Sequence, residues 1–297
     1  MTRALILGGG GPVGIAWEAG LIAGLAEAGV DLAAADYICG TSAGSFVGSQ
    51  LAMGRPIGEM AAAILAEAQR PRADPPPVNG RPAQQAAAPN LALLFQKMQE
   101  TSSGTRDPKD VRKEIGAFAL AAQTVDEATF IRGFGRSLSQ DQAESWPTAR
   151  DYACTAVDAE TGEFVVWTAE SKVGLAKAVA SSCSVPGVFP PITINGRRYI
   201  DGGMRSATNA DLAEGHDLVV ILALRIAAMN AGGPSPLDRE IETLKGGGAR
   251  VEVVYPDEAS QTAFGVNLMD TRVRPAACQA GLTQGRALAA AMGGIWG

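Results

Sequence analysis

The chain has 297 residues, 46% of them apolar and 5% aromatic, with a formal net charge of −6. That length accommodates one large α/β domain with an insertion, whose core must be filled by Ala, Val, Leu and Ile more than by rings. The acidic balance argues against a nucleic-acid surface and against electrostatic adsorption to anionic lipid. Cys39, Cys154, Cys183 and Cys278 lie far apart, without metal-ligand spacing. They read as buried reduced thiols, and no metal is expected. Only four apolar residues follow Met1-Thr2-Arg3 before glycines begin, too few for a secretory leader, and no run approaches the ~20 needed to span a membrane. The expectation is a cytoplasmic protein that meets lipid at most peripherally.

In chain order, Ala4 to Leu7 reads as a buried strand, Gly8 to Gly11 as a turn, and Val13 to Ala28 as a helix stopped by Gly29. Asp36 to Cys39 is a second strand, followed by a sharp turn and a helix from Ala43 to Met53. Strand–helix–strand–helix with short glycine connections predicts a parallel sheet covered by helices on both faces. Six prolines between Arg70 and Asn90 break any regular element. Helices are expected at Leu91 to Met98 and Val111 to Gln123. In the first, Leu91, Leu94, Phe95 and Met98 form one apolar stripe. Residues 70–145 therefore read as an insertion, either a lid over a cleft or a passive surface loop. A hairpin is expected over Asp151 to Thr168, a helix over Val173 to Ser181, and a second hairpin around the Asn195-Gly196 turn. Asp217 to Leu224 and Ala249 to Tyr255 are further strands. A helix from Thr271 to Met292 follows.

Three motifs carry chemistry. Gly9-Gly10-Gly11-Pro12-Val13-Gly14 matches G-x-G-x-x-G between a strand and a helix. Free N–H groups at a helix N-terminus favour negative charge, whether a pyrophosphate or the oxyanion of a tetrahedral intermediate. A dinucleotide site would end the second strand with an acid. Here that strand runs into Gly40-Thr41-Ser42, and Asp31 and Asp36 lie at its other end. The oxyanion use is favoured, and a dinucleotide-binding oxidoreductase stays the alternative. Gly40-Thr41-Ser42-Ala43-Gly44 is a G-x-S-x-G sequence at a strand-to-helix turn, where a Cβ at either glycine would collide with a neighbouring element. A serine hydroxyl needs a base. His216, the sole histidine, reads as a loop residue, which leaves Asp201 of Asp201-Gly202-Gly203 as the other option. Partial burial would raise the pKa of such a carboxylate toward a useful range.

Taken together, the three motifs resemble the patatin-like phospholipase family. Ala180 to Pro191 is similar to that family's small-residue and proline stretch, and Asn209 to its segment after the aspartate. The resemblance implies a three-layer α/β/α sandwich around a mainly parallel sheet, a single domain over 1–297 with its insertion at about 70–145. It implies a serine lipid acyl hydrolase, of phospholipase A, lysophospholipase or esterase type, acting without cofactor through a Ser42–Asp201 dyad. The implied oxyanion donors are the N–H groups of Gly9, Gly10 and Gly11, with Gly14, Gly40, Gly44, Gly202 and Gly203 as supporting glycines. A lipid or other acyl ester would be the partner, with contact at a membrane or micelle surface. Many members carry Arg or Lys where this chain has Val13. A catalytically silent lipid-binding relative is therefore a further alternative.

Overall fold

The computed structural model of the protein describes residues 1–69, 94, 97, 106–135, 144–224 and 235–297. Its centre is an eight-stranded sheet in the order β5-β6-β3-β2-β1-β7-β8, with β4 also paired to β3. The strands are β1 (Arg3–Leu7), β2 (Tyr37–Gly40), β3 (Asp151–Asp158), β4 (Phe164–Trp167), β5 (Ile192–Ile194), β6 (Arg197–Asp201), β7 (Leu218–Leu222) and β8 (Arg250–Val254). Pairing is parallel from β8 through β7, β1 and β2 to β3. Beyond that it is antiparallel. The expected hairpin at 151–168 exists, but β3 does more than the sequence reading assigned to it. Its first half lies parallel to β2, and its second half pairs with β4 and β6. β3 is where the sheet changes direction.

Helices α1 (Gly11–Glu27), α2 (Ala43–Ala52), α3 (Ile57–Ala66), α4 (Pro108–Ala121), α5 (Glu127–Gly135), α6 (Leu175–Ser182), α7 (Pro236–Gly246), α8 (Glu258–Phe264) and α9 (Arg274–Trp296) surround the sheet. The strands divide their side chains with period two. On β1, Leu5 and Leu7 enter the large core shared with α1, α2, α3, α6 and α9, while Ala4 and Ile6 enter the core under α7. On β7, Leu218, Val220 and Leu222 face the first core, and Val219 and Ile221 the second. This is the expected three-layer α/β/α arrangement around a mainly parallel sheet.

α1 and α9 approach through glycines. A Cβ at Gly20 would lie 2.1 Å from the Cys278 carbonyl oxygen, and one at Gly24 would lie 2.3 Å from that of Leu282. From the other side, Cβ atoms at Gly281 and Gly285 would meet the Trp17 and Leu21 carbonyl oxygens at 2.4 and 2.2 Å. The two backbones are in direct contact. Within the seam, Trp17 Nε1 donates to Gln284 Oε1 at 2.9 Å.

The Pro-rich stretch and Leu91, Phe95 and Met98 of the expected stripe lie outside the described residues. Leu94 is described, and it is buried against Val111, Ile115 and Ala119 of α4 and Ile200 of β6. α5 is docked by the Glu127 carboxylate, which accepts from the Thr193 N–H and hydroxyl at 2.6 and 2.8 Å. Phe130 stacks on Phe189 with ring centroids 4.5 Å apart. The four cysteines are free and buried, and burial pushes their thiols above the ordinary range. Among the described residues there is no cluster of His, Cys, Asp and Glu fit to hold a metal ion. None of the described helices is long and apolar enough to cross a membrane.

Candidate active site

Sheet register sets the height of the two principal side chains. Gly40 is level with Cys154 on β3, and Ala156, two residues on, faces Asp201 on β6. Ser42 lies two residues past Gly40, so the serine and the aspartate come to one level on either side of β3.

Ser42 sits at the turn from β2 into α2 with φ 53° and ψ −117°, a conformation few non-glycine residues adopt. Such a turn pushes the hydroxyl away from the strand. It requires close backbone approach. A Cβ on Gly40 would lie 2.3 Å from the Gly44 carbonyl oxygen, and one on Gly44 would lie 2.1 Å from that of Leu7. The turn is held from below. The Ser42 N–H donates to Ser182 Oγ at 3.0 Å, and the Ser42 carbonyl accepts from Ser45 Oγ at 2.6 Å and Cys183 Sγ at 3.1 Å.

Asp201 ends β6 and is 2% exposed; Ser42 is 7% exposed. The Ser42 hydroxyl favours the ionised form of the Asp201 carboxyl. Asp201 Oδ1 accepts from the Gly203 N–H at 2.7 Å. Burial raises Asp201 to about 7, and the Ser42 hydroxyl and the Gly203 N–H oppose the rise. A carboxylate poised near neutrality on a serine hydroxyl forms a pair able to exchange a proton at physiological pH. Gly202 admits β3 closely, since a Cβ there would meet Thr155 Oγ1 at 2.1 Å. Below the pair, Thr41 Oγ1 lies 2.9 Å from Thr155 Oγ1, and Asn209 Nδ2 donates to Thr41 Oγ1 at 3.0 Å.

The glycine loop lies beside the serine. A Cβ on Gly9 would come 3.5 Å from Ser42 Cβ. The loop is anchored on both flanks, with the Gly9 N–H donating to the Ala207 carbonyl at 2.7 Å and the Val13 N–H to that of Leu268 at 3.2 Å. The Gly9 amide, expected among the oxyanion donors, donates to the Ala207 carbonyl. The amides of Gly10 and Gly11 donate to no described backbone carbonyl. Gly11 has φ +58°, and a Cβ there would lie 2.8 Å from Met269 Sδ. Gly14 passes Ala43 with less crowding, at 3.3 Å. Val13 is fully buried, so that position brings no charge to the site.

His216 is elsewhere. Its ring stacks on Tyr37 with centroids 5.3 Å apart, and Nδ1 lies 3.1 Å from the Ala213 carbonyl oxygen. Tyr37 opens β2, whereas Ser42 follows its end, so about 13 Å of strand separates the two levels. Ser182, Ala207 and Leu268 were not singled out in the sequence. Ser182 lies in the quoted small-residue stretch, but nothing local distinguishes it from Ser181 or Ser184.

The patatin-like phospholipase model matches residues 5–214. The chain belongs to that family. Patatin-like phospholipases are lipid hydrolases, and the matched span holds the glycine loop, Ser42 and Asp201. No curated protein matches the sequence significantly. Solved structures similar to this chain include VipD from Legionella pneumophila, with 14% identity, 98% of this chain and 67% of that chain covered, and a TM-score of 0.48. The type III effector ExoU is similar at 14% identity, covering 98% and 53%, with a TM-score of 0.40. ExoU in complex with SpcU from Pseudomonas aeruginosa is similar at 16% identity, covering 96% and 52%, with a TM-score of 0.37. The patatin-like chain thus spans about half the length of the ExoU chains.

Proposed function

We propose that this patatin-like chain is a serine hydrolase that cleaves a carboxylic ester of a lipid through Ser42 and Asp201. The observation that carries the reading is the sheet register that brings Ser42 and Asp201 to one level on either side of β3, with the Asp201 carboxyl buried and raised to about 7. Asp201 takes the hydroxyl proton as Ser42 Oγ attacks the ester carbonyl. The C–O bond to the alcohol then breaks, and the alcohol leaves with that proton. An acyl-serine remains. Asp201 next takes a proton from water, the hydroxide adds to the acyl carbon, and the free acid departs as Ser42 recovers its hydrogen. The amides of Gly10 and Gly11, at the N-terminus of α1, stabilise the oxyanion of both tetrahedral intermediates.

The dinucleotide reading has lost ground. Its acid on the second strand is missing, and the glycine loop abuts Ser42. The test is incubation with a fluorophosphonate followed by mass analysis, beside turnover of p-nitrophenyl butyrate and of a lysophospholipid. A single adduct on Ser42, absent in Ser42→Ala, is expected. His216→Ala should keep turnover within a few-fold. An unlabelled but folded chain, or one whose turnover survives Ser42→Ala, would remove the reading.

A further inference from the structure

Outside the Ser42–Asp201 pair, another buried carboxylate is tied into the same loops. Glu240 belongs to α7, beyond the span that the family model matches. It is buried between that helix and the segment that follows Asp201. Its Oε2 accepts from Thr208 Oγ1 at 2.6 Å and from the Ala210 N–H at 2.9 Å. Both donors lie in the short 207–210 turn. One residue before Thr208, the Ala207 carbonyl receives the Gly9 N–H at 2.7 Å. One residue after it, Asn209 has φ 50° and sends Nδ2 to Thr41 Oγ1, next to Ser42. The same Nδ2 donates to the Ser206 carbonyl at 2.8 Å. The turn therefore touches the glycine loop and the serine turn, and Glu240 fixes it from the far side.

We infer that Glu240 is a positioning residue, which sets the glycine loop against Ser42 through Thr208, Ala210 and the Ala207 carbonyl. This inference rests on the proposed hydrolase reading. Two hydrogen bonds to one carboxylate oxygen hold the 207–210 turn, and the turn presents a single carbonyl to Gly9. A shift of that carbonyl moves Gly9, and with it the Gly10 and Gly11 amides. Oxyanion donors act on the charge that develops in the transition state, so their misplacement lowers turnover more than substrate binding. A group that only stabilised the fold would leave the folded fraction with normal turnover per molecule.

The experiment compares Glu240→Ala and Glu240→Gln with the unaltered chain, using p-nitrophenyl butyrate turnover per folded molecule and inhibition by an alkyl trifluoromethyl ketone. That ketone adds to a serine as an oxyanion and reports the donors directly. Glu240→Ala should lose about tenfold or more in kcat with KM within about threefold, and ketone affinity should fall in parallel. Glu240→Gln keeps an acceptor oxygen and should recover most of kcat. Should Glu240→Ala fail to fold, Thr208→Val removes one of the two donors and is read in the same way, with a smaller loss. Unchanged kcat in Glu240→Ala or Thr208→Val, or equal loss in the Ala and Gln variants, would overturn the inference. An unaltered chain without turnover or Ser42 adduct removes the hydrolase reading itself. An active chain beside an unimpaired variant removes the inference alone.

Discussion

Ser182 Oγ accepts the backbone N–H of Ser42 at 3.0 Å, so the last residue of α6 caps the most strained residue of the site. The bond is fully buried, and the amide has no route to water. Ser182→Ala leaves a buried donor unpaired, at a cost of about 1–3 kcal/mol. The expected outcome is a lower urea midpoint together with lower turnover per folded molecule. A variant equal to the unaltered chain in both would show that the Ser42 turn holds itself.

Asp201 makes activity and stability depend on pH in opposite senses. As the proposed base it must be ionised, so kcat/KM should rise with pH through about 7 and then level. Its unfolded-state pKa is near 3.9, so between about 4 and 7 the unfolded chain ionises while the folded one keeps its proton. Stability from this group is complete below about 4 and declines until about 7. Asp201→Asn should therefore lose ~10²-fold or more in turnover while melting above the unaltered chain at pH 8. Thermal melts at pH 4 and pH 8 decide the second point; a lower melting temperature for Asp201→Asn at pH 8 would count against it.

Glu18 offers a separate case. It is fully buried on α1, and neither carboxyl oxygen has a hydrogen-bond partner among the described residues. The nearby Gly8 amide is committed to the Leu222 carbonyl. Burial raises the Glu18 pKa well above the ordinary range. By the same sign, stability is lost as pH rises past the unfolded value near 4.3. Glu18→Gln removes the ionisation, and its advantage in urea midpoint should grow from pH 4 to pH 8. A pH-independent difference would mean that Glu18 finds a partner in solution.

The glycine seam gives a paired prediction. Gly281→Ala drives a Cβ to 2.4 Å from the Trp17 carbonyl oxygen, whereas at Gly294, also on α9, a Cβ meets nothing within 4 Å. The first substitution should cost at least ~2 kcal/mol, and the second should gain up to ~1 kcal/mol through helix propensity. Denaturant midpoints of the two variants check the contrast.

Local signals carried far in this chain. Gly40 to Gly44 announced its own turn because the steric demand falls on the motif's own glycines. Asp201 stands out as a candidate in the sequence because β6 and the double glycine frame it. What stayed hidden depends on distant partners. Gly9 looked like one of three equivalent amides, and only the arrival of Ala207, some two hundred residues later, commits it. Among the described residues, four helices were missed. One of them, α7, carries a readable start, Ser235 to Asp238, whose side chains and amides cap each other. α3 opens after Pro56 without a side-chain cap, so its start carried no such signal.

The α1–α9 seam also bears on how the molecule comes to exist. The helix that opens with the glycine loop finds its backbone partner some two hundred and fifty residues later, and β1 finds β7 only after Asp217. A chain emerging from a ribosome would hold Ser42, Asp201 and every glycine of the three motifs well before Gly281 and Gly285 appear. Until then the Trp17, Gly20 and Gly24 face of α1 has nothing to rest on. Contacts of such long sequence separation form late and slowly. The arrival of α9 thus times when α1, and with it the glycine loop at its start, is set.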